Sequence, residues 1–373
     1  MTGTEQQAAW AARVLPPVEH LGGDVWSVPV PIPRNPLRYT LSYLLPGRTG
    51  LVVVDPGWDS DESWEVLRRG LAAAGAGPKD VTGIVATHVH PDHHGLSARL
   101  REASGAWVAM HPAERDSLPQ RRRDTTSGRP TAVQDAHRWL AEAGAPDYAV
   151  LELLGPPEAH AAASAALPRA AEPDLLLEDL DRVPVDGRDI VALWTPGHTP
   201  GHLCLVDRAA RAVLTGDHVL PRITPNIGLH SPRSDGRPLA DFLASLERVA
   251  AWDDHEVLPA HEYRFRGLAA RTRTLLDHHA RRLAELLDVV DALGRPTPWD
   301  VAAHLSWSRP WAQVGAMRIA ALAETEAHAQ HLVERGELTR THSRGDHLIR
   351  LQRPPGTRPR PGHGMGDFPL FVS

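Results

Sequence analysis

The sequence predicts an α+β fold with two strand-rich halves, a helical insertion between them, and a smaller module at the C-terminal end. Three observations predict it. Short apolar runs recur through residues 25–110 and again through 189–259, and several stop at Gly, Pro, His or Asp. Residues 112–180 lose that pattern and become rich in Ala, Pro, Arg and Leu with helical periodicity. From about Arg295 the texture changes once more, to short helical patterns and a hairpin. The 373 residues have room for two or three domains, and 42% hydrophobic with 23% charged residues can bury a sizeable core.

In chain order, residues 1–20 read as a loose or helical lead-in. Val25–Val30, Tyr39–Leu45 and Leu51–Val54 read as strands. Asp55 follows the last of these, and both turn chemistry and the orientation of a metal-bound histidine suit a carboxylate there. A helix is expected over 61–75, with Asp59 or Ser60 as its N-cap. Gly83–Ala86 is a buried strand, a helix starts near Gly95, and Ala106–Met110 is the next strand. The insertion carries helical patterns at 131–144 and 147–166, which could wall or lid a pocket, and an Arg121-Arg122-Arg123 run that suits either a solvated face or an anion-attracting rim. Strands resume at Asp189–Thr195, His202–Asp207 and Arg211–Thr215, followed by a helix over 238–252, the strand Glu256–Leu258 and a long helix over 264–294. Beyond it, Thr297-Pro298 opens a short helix to about Trp307; helices are expected at 311–321 and 324–334, and a hairpin pairs Leu338–Thr341 with His347–Leu351. Helix–helix–helix–hairpin is winged-helix order. The domain division read from these patterns is 1–290, 295–352 and an irregular tail, 353–373.

The chemistry concentrates in Thr87-His88-Val89-His90-Pro91-Asp92-His93-His94-Gly95. Four metal-ligating side chains, His88, His90, Asp92 and His93, fall in six positions directly after a strand. A helix would present histidines at i and i+4; this spacing, with a proline inside, suits a turn, and alternate residues can face two different ions. Three later strand ends also carry His or Asp: His198 in Pro196-Gly197-His198-Thr199-Pro200-Gly201-His202, Asp217 in Thr215-Gly216-Asp217-His218, and His261 in Pro259-Ala260-His261-Glu262. Four such strand ends in one chain point to a metal site. The single cysteine, Cys204, lies in an apolar strand and reads as a core residue; it forbids intramolecular disulfides and fits a cytoplasmic location. A net charge of −6 argues against a protein dominated by nucleic-acid binding, no apolar run reaches the length of a membrane span, and the N-terminus lacks a signal-peptide pattern.

These motifs resemble those of the metallo-β-lactamase-fold hydrolases over about residues 20–270. The H-x-H-x-D-H signature stands as His88, His90, Asp92 and His93, with His198, Asp217 and His261 at the later ligand motifs. The resemblance implies an αββα sandwich in which His88, His90 and His198 hold one metal, Asp92, His93 and His261 hold a second, and Asp217 bridges them. It supports Asp55 as a residue behind the ligands. An aspartate after Thr-Gly is unlike the true β-lactamases and similar to the glyoxalase II, lactonase and nuclease branches. Relatives that reduce oxygen carry Glu where this chain has His90. The D-H-x-G-G pattern of glyoxalase II is Asp92-His93-His94-Gly95-Leu96 here, so glutathione recognition does not follow. The C-terminal part resembles the winged-helix appendage of some members.

The expected reaction is hydrolysis by a hydroxide bridging two divalent ions, most simply Zn2+, with Fe or Mn also compatible with the ligand set. Asp92 would orient that hydroxide and pass on its proton. His94, His202 and His218 flank ligands and are read as supporting or structural. Arg222, Arg264 and Arg266 are candidates for binding an anionic group of the substrate. The preferred substrate is a small ester-like acyl compound: a thioester, lactone or ester. The alternative is an endoribonuclease or other phosphodiesterase, favoured by the winged-helix order and by seven Arg between Arg335 and Arg360 against two acidic residues, Glu337 and Asp346. No membrane partner is expected, and the reading leaves room for a homodimer.

Overall fold

The computed structural model describes residues 2–118, 132–155, 170–228, 236–343 and 345–356. They fall into two compact units, one of residues 1–127, 168–225 and 241–275, the other of 128–167, 226–240 and 276–373.

The first unit is built on two sheets, preceded by the lead-in helix α1 (Thr4–Ala12). Seven strands run in chain order across the first sheet: β1 (Glu19–Leu21), β2 (Val25–Pro31), β3 (Tyr39–Pro46), β4 (Leu51–Val54), β5 (Val81–Val85), β6 (Trp107–Met110) and β7 (Leu175–Leu176). Pairing is antiparallel from β1 to β4 and parallel from β4 to β7. The second sheet has the order β11-β10-β9-β8, from β8 (Ile190–Trp194), β9 (Leu203–Asp207), β10 (Ala212–Gly216) and β11 (Glu256–Pro259). The two-residue period of β3 shows why the sheets stack. Tyr39, Leu41, Tyr43 and Leu45 face Ile190, Ala192, Leu203, Leu205, Leu214 and Leu258 in one apolar core. Leu44 points to the other face, where with Val28 and Val53 it meets Val66, Leu67 and Leu71 of α2 (Asp61–Ala73) and Leu100 of α4 (Ser97–Ser104). Ser60 caps α2, its hydroxyl accepting from the Ser63 N–H at 3.1 Å. On the second sheet's side, residues 241–249 of α8 (Pro238–Val249) lie over the end of β8, with the Ser245 hydroxyl donating to the Pro196 carbonyl at 2.9 Å. The αββα layering expected from the resemblance is thus present. The long helix expected over 264–294 is α9 (Leu268–Leu293).

In the second unit, α6 (Ala132–Glu142) and α7 (Asp147–Leu154) pack Trp139, Leu140, Ala149 and Val150 against Trp299 and Ala302 of α10 (Pro298–His304) and Leu322 of α11 (Arg318–Glu334). The described part of the 112–180 insertion therefore divides. α5 (Pro112–Ser117) stays with the sheets, while α6 and α7 find their apolar partners among the C-terminal helices. Thr297 caps α10 with its hydroxyl on the Asp300 N–H, and Asp300 returns the bond to the Thr297 N–H. The two helices expected at 311–321 and 324–334 are instead two 3₁₀ turns, Trp311–Gln313 and Gly315–Met317, followed by the unbroken α11. Ala321-Leu322-Ala323-Glu324 contains only strong helix formers and cannot end a helix, whereas Gly315 at φ 60° can. A hairpin of β12 (Thr339–His342) and β13 (Ile349–Gln352) follows. Arg121-Arg122-Arg123, the end of the 147–166 helical pattern and the tail beyond residue 356 lie outside the described residues. Among the described residues no helix is long and apolar enough to cross a membrane.

Candidate metal centre

The His88–His93 motif leaves the buried strand β5 through bends at Thr87, His88 and Val89. Pro91 then starts a single helical turn, α3 (Pro91–His94), so the expected turn is in fact a loop carrying His88 and His90 and one helical turn carrying Asp92 and His93. The His90 carbonyl accepts from the His93 and His94 N–H groups, which fixes that turn.

Asp55 stands behind the loop. It ends β4 at φ 52°, a left-handed conformation that aspartate tolerates better than most residues, and it is 2% exposed. Its carboxylate accepts from the Thr87 N–H at 2.7 Å, from the Thr87 hydroxyl at 2.7 Å and from His93 Nδ1 at 2.8 Å. With its hydroxyl proton given to Asp55, Thr87 accepts from His88 Nδ1 at 3.0 Å. Both imidazoles are thereby held with Nδ1 protonated, which leaves Nε2 as the lone-pair nitrogen on the side away from Asp55. His261 is set in the same way, Nδ1 lying 2.9 Å from the Tyr39 carbonyl. The Tyr39 hydroxyl donates to the Glu262 carbonyl at 2.7 Å, so β3 grips both sides of the His261 corner.

The four strand ends bring all seven expected ligands together. His88 Nε2 lies 2.9 Å from His90 Nδ1, and His198 Nε2 lies 3.2 Å from the same atom. Asp217 faces two ways: its Oδ1 is 3.5 Å from His93 Nε2 and 3.1 Å from His261 Nε2, while its Oδ2 is 3.5 Å from His198 Nε2. The Asp92 Oδ2 atom is 3.5 Å from His261 Nε2 and 3.7 Å from His93 Nε2. Three groups have ligand atoms within 4.8 Å of one another: His88, His90 and His198; His88, His93 and Asp217; Asp92, His93 and His261.

The residues fit a divalent cation. Among the described residues, His93 Nε2, His261 Nε2 and Asp217 Oδ1 are buried and make no hydrogen bond, although they converge on one another. Buried polar atoms are almost always satisfied, and a shared cation satisfies all three at once. The charges respond accordingly. Burial opposes charge on His93 and His261, but Asp217 and Asp92 overcome it and hold both imidazoles above their ordinary pKa. Burial, with His93, His90 and His198 around it, holds His88 well below. Burial works against Asp217 ionising, yet His261 and His93 keep its carboxyl well below the usual range. The nitrogen-rich, oxygen-containing set suits zinc, iron or manganese alike.

Supporting residues fall into place around the ligands. His202 holds the Asp217 backbone, its Nε2 accepting from the Asp217 N–H at 3.1 Å while Nδ1 contacts the Thr195 hydroxyl at 2.9 Å. His94 turns away to the Ala171 carbonyl at 2.9 Å. His218 is fully buried with its ring edge-on to Phe242, and burial presses its pKa down to about 3. Of the three arginines proposed for substrate, Arg264 is taken up in ion pairs with Glu19 and Glu256, and Arg266 reaches the Asp254 carbonyl at 3.2 Å. Arg222 is exposed, and its backbone N–H is held by Glu262 Oε2 at 2.9 Å. Sequence reasoning missed Glu262, Arg271 and Glu114. Arg271 donates to the carbonyls of Leu220, Arg222 and Ile223, and with Glu262 it fixes the loop after Asp217. Glu262 adjoins a ligand in the sequence, but the other two sit far from any motif and carried no signal.

With ligands on four strand ends of a two-sheet sandwich, comparison with known proteins is decisive. The family model of the metallo-beta-lactamase superfamily matches residues 35–261. The chain belongs to the metallo-beta-lactamase superfamily. A probable metallo-hydrolase of Bacillus subtilis, YqjP, is 24% identical over 277 residues, 72% of this chain and 81% of that protein. The acyl-coenzyme A thioesterase MBLAC2 of Gallus gallus is 28% identical over 226 residues, 59% of this chain and 71% of its own length. Among solved structures, a beta-lactamase domain protein from Burkholderia ambifaria aligns with a TM-score of 0.74 at 27% identity, over 90% of this chain and 94% of that one. A metallo-beta-lactamase family protein of Thermus thermophilus aligns with a TM-score of 0.71 at 29% identity, over 88% of this chain and 98% of that one. Membership makes the chain a metal-dependent hydrolase.

Proposed function

We propose that this hydrolase binds two divalent ions, zinc by preference, and cleaves an ester-like acyl substrate: a thioester, lactone or ester. The observation that carries the reading is the orientation of Asp217, one carboxylate oxygen toward His93 and His261 and the other toward His198. His88, His90 and His198 would hold one ion and Asp92, His93 and His261 the other, with Asp217 available to both. The bound ions supply an acidified water and Lewis-acid polarisation of the scissile carbonyl. The chain's own residues do the rest. Asp55, Thr87 and the Tyr39 carbonyl keep the imidazoles in one tautomer, His202 anchors Asp217, and the half-buried Asp92 would take a proton at Oδ2 and release it to the leaving group.

Support for an acyl substrate comes from the thioesterase relative and from the fate of the C-terminal arginines. Arg335, Arg340, Arg350 and Arg353 pair with Glu337, Glu326, Asp346 and Asp291, which spends much of the charge a nucleic-acid surface would need. The helix–turns–helix–hairpin order of the second unit stays compatible with a winged-helix-like appendage that packs or dimerises. The buried, lone Cys204 suits a reducing cytoplasm. The test is a panel of acyl-CoA, lactone and ester substrates beside structured RNA. Acyl turnover that disappears in Asp217→Asn, with RNA intact, supports the proposal. RNA cleavage lost in His88→Ala, without acyl turnover, would sink it in favour of the nuclease.

A further inference from the structure

We propose that Glu114 is a positioning residue of the metal centre: its carboxylate clamps the two ligand loops that carry His88, His90 and His198 to each other. The inference rests on the dinuclear reading above. Glu114 is fully buried, at the third position of α5. A glutamate there ordinarily reaches back to the N–H that opens its own helix. The N-cap of that helix is His111, whose Nδ1 accepts from the Ala113 N–H at 3.1 Å. The Glu114 carboxylate also reaches beyond its own helix. Its Oε2 accepts from the Val89 N–H at 2.7 Å and its Oε1 from the Gly201 N–H at 2.7 Å.

Those two donors are significant by position. Val89 lies between His88 and His90, and Gly201 lies three residues after His198. One carboxylate thus spans the loops after β5 and β8 that must approach for His90 Nδ1 and His198 Nε2 to stand 3.2 Å apart. Short charge-assisted bonds of this kind are about twice as strong as neutral ones; the bond to Gly201 is buried and the bond to Val89 partly so. The close approach also depends on Gly201. A Cβ there would meet the Glu114 nitrogen and His111 Nδ1 at 2.8 Å and the Glu114 Cγ at 2.9 Å, so a side chain would push α5 off the loop. Neither bond is made by a residue of the other group, Asp92, His93 and His261, so the effect falls chiefly on one half of the centre.

The experiment compares Glu114→Ala, Glu114→Gln and Gly201→Ala with the parent chain. Metal affinity is measured by competition with a chromophoric chelator, and the Co2+ absorption spectrum reports ligand geometry. Amide exchange at Val89 and Gly201 is followed in metal-free protein. Glu114→Ala should bind one ion at the parent affinity and the other about 10–100-fold more weakly, with an altered Co2+ spectrum. Both amides should exchange faster without metal. Glu114→Gln keeps one acceptor oxygen and should recover part of the loss; it serves as the variant of record if Glu114→Ala does not fold. Unchanged affinity for both ions in a folded variant would overturn the proposal. Equal weakening of both, with a lowered Tm and no recovery in Glu114→Gln, would overturn it too, by reducing Glu114 to a general stabiliser. A parent chain that binds a single ion refutes the dinuclear reading instead, and the amide exchange still judges the clamp.

Discussion

Replacing Asp55 by Asn tests the tautomer argument at a residue that reaches no substrate. The carboxylate accepts three bonds at 2.7–2.8 Å, two from Thr87 and one from His93 Nδ1. An amide of the same shape offers one oxygen. If the oxygen stays on the Thr87 N–H, the new NH2 group faces the Thr87 hydroxyl and His93 Nδ1, so donor opposes donor. The cheapest relief is for His93 to move its proton to Nε2, the atom that must bind metal. Losing the group that orients a ligating histidine typically costs 10–100-fold in metal affinity, about 1.4–2.7 kcal/mol. The expected result for Asp55→Asn is therefore the ion assigned to Asp92, His93 and His261 weakened by that factor, and the ion assigned to His88 weakened less, through the Thr87 hydroxyl that links Asp55 to His88 Nδ1, with hydrolysis reduced in proportion at limiting metal. Chelator competition with elemental analysis measures it. If Asp55→Asn binds both ions with parental affinity, Asp55 is only a turn residue and the reasoning fails.

Metal binding should acidify the medium. His93 and His261 are held above their ordinary pKa in the metal-free protein, so each must shed a proton to ligate, and affinity should fall as pH falls; calorimetry in buffers of different ionisation enthalpy should show net proton release near neutrality. Chelators should abolish hydrolysis and lower Tm, because an ion present at 100 times its Kd stabilises the fold by about 2.7 kcal/mol. Arg264→Ala should destabilise the first unit by about 1.5–3 kcal/mol through its lost pairs with Glu19 and Glu256, yet leave KM unchanged; a raised KM would restore it as a substrate residue. Burial lifts the Glu324 carboxyl to about 7, above the unfolded value near 4.5. Its neutral form is therefore the one the folded state prefers, and its contribution to stability declines as pH rises from about 4.5 through 7. Denaturant midpoints for Glu324→Gln should lack that decline.

The metal centre was legible because its ligands are few residue types at fixed offsets after strands, and each such strand is itself an apolar run. A short sequence window contains everything needed to place His88, His90, Asp92 and His93 on one strand end. The residues that hold the ligands obey no such offset. Glu114 meets Val89 and Gly201 across 25 and 87 positions, and Arg271 meets Leu220 across 51. Only the folded chain brings them together, and an isolated glutamate on a short helix looks like a solvated one. Arg264 shows the opposite case. Its nearness to His261 in the sequence suggested a substrate contact, but Glu19 and Glu256 had already claimed its charge.

The second unit was harder for a related reason. Helical periodicity says that α6 and α7 have an apolar face, but not which surface that face will cover. Trp139 shows what decides it. Its ring enters the core with Trp299 and Leu322, and its Nε1 donates to the buried Glu326 carboxylate at 2.5 Å, which Arg340 also approaches at 3.2 Å. Moving the insertion elsewhere would take the Trp139 donor from a buried acid, a cost of about 1–3 kcal/mol. Burial accordingly lifts the Glu326 carboxyl above its ordinary range even with Arg340 beside it. The same pair explains why the arginine-rich C-terminal stretch is a weak argument for nucleic acid. A cation that neutralises a buried carboxylate is part of the core's polar scaffold, so counting arginines in the sequence overstates the charge the surface can offer.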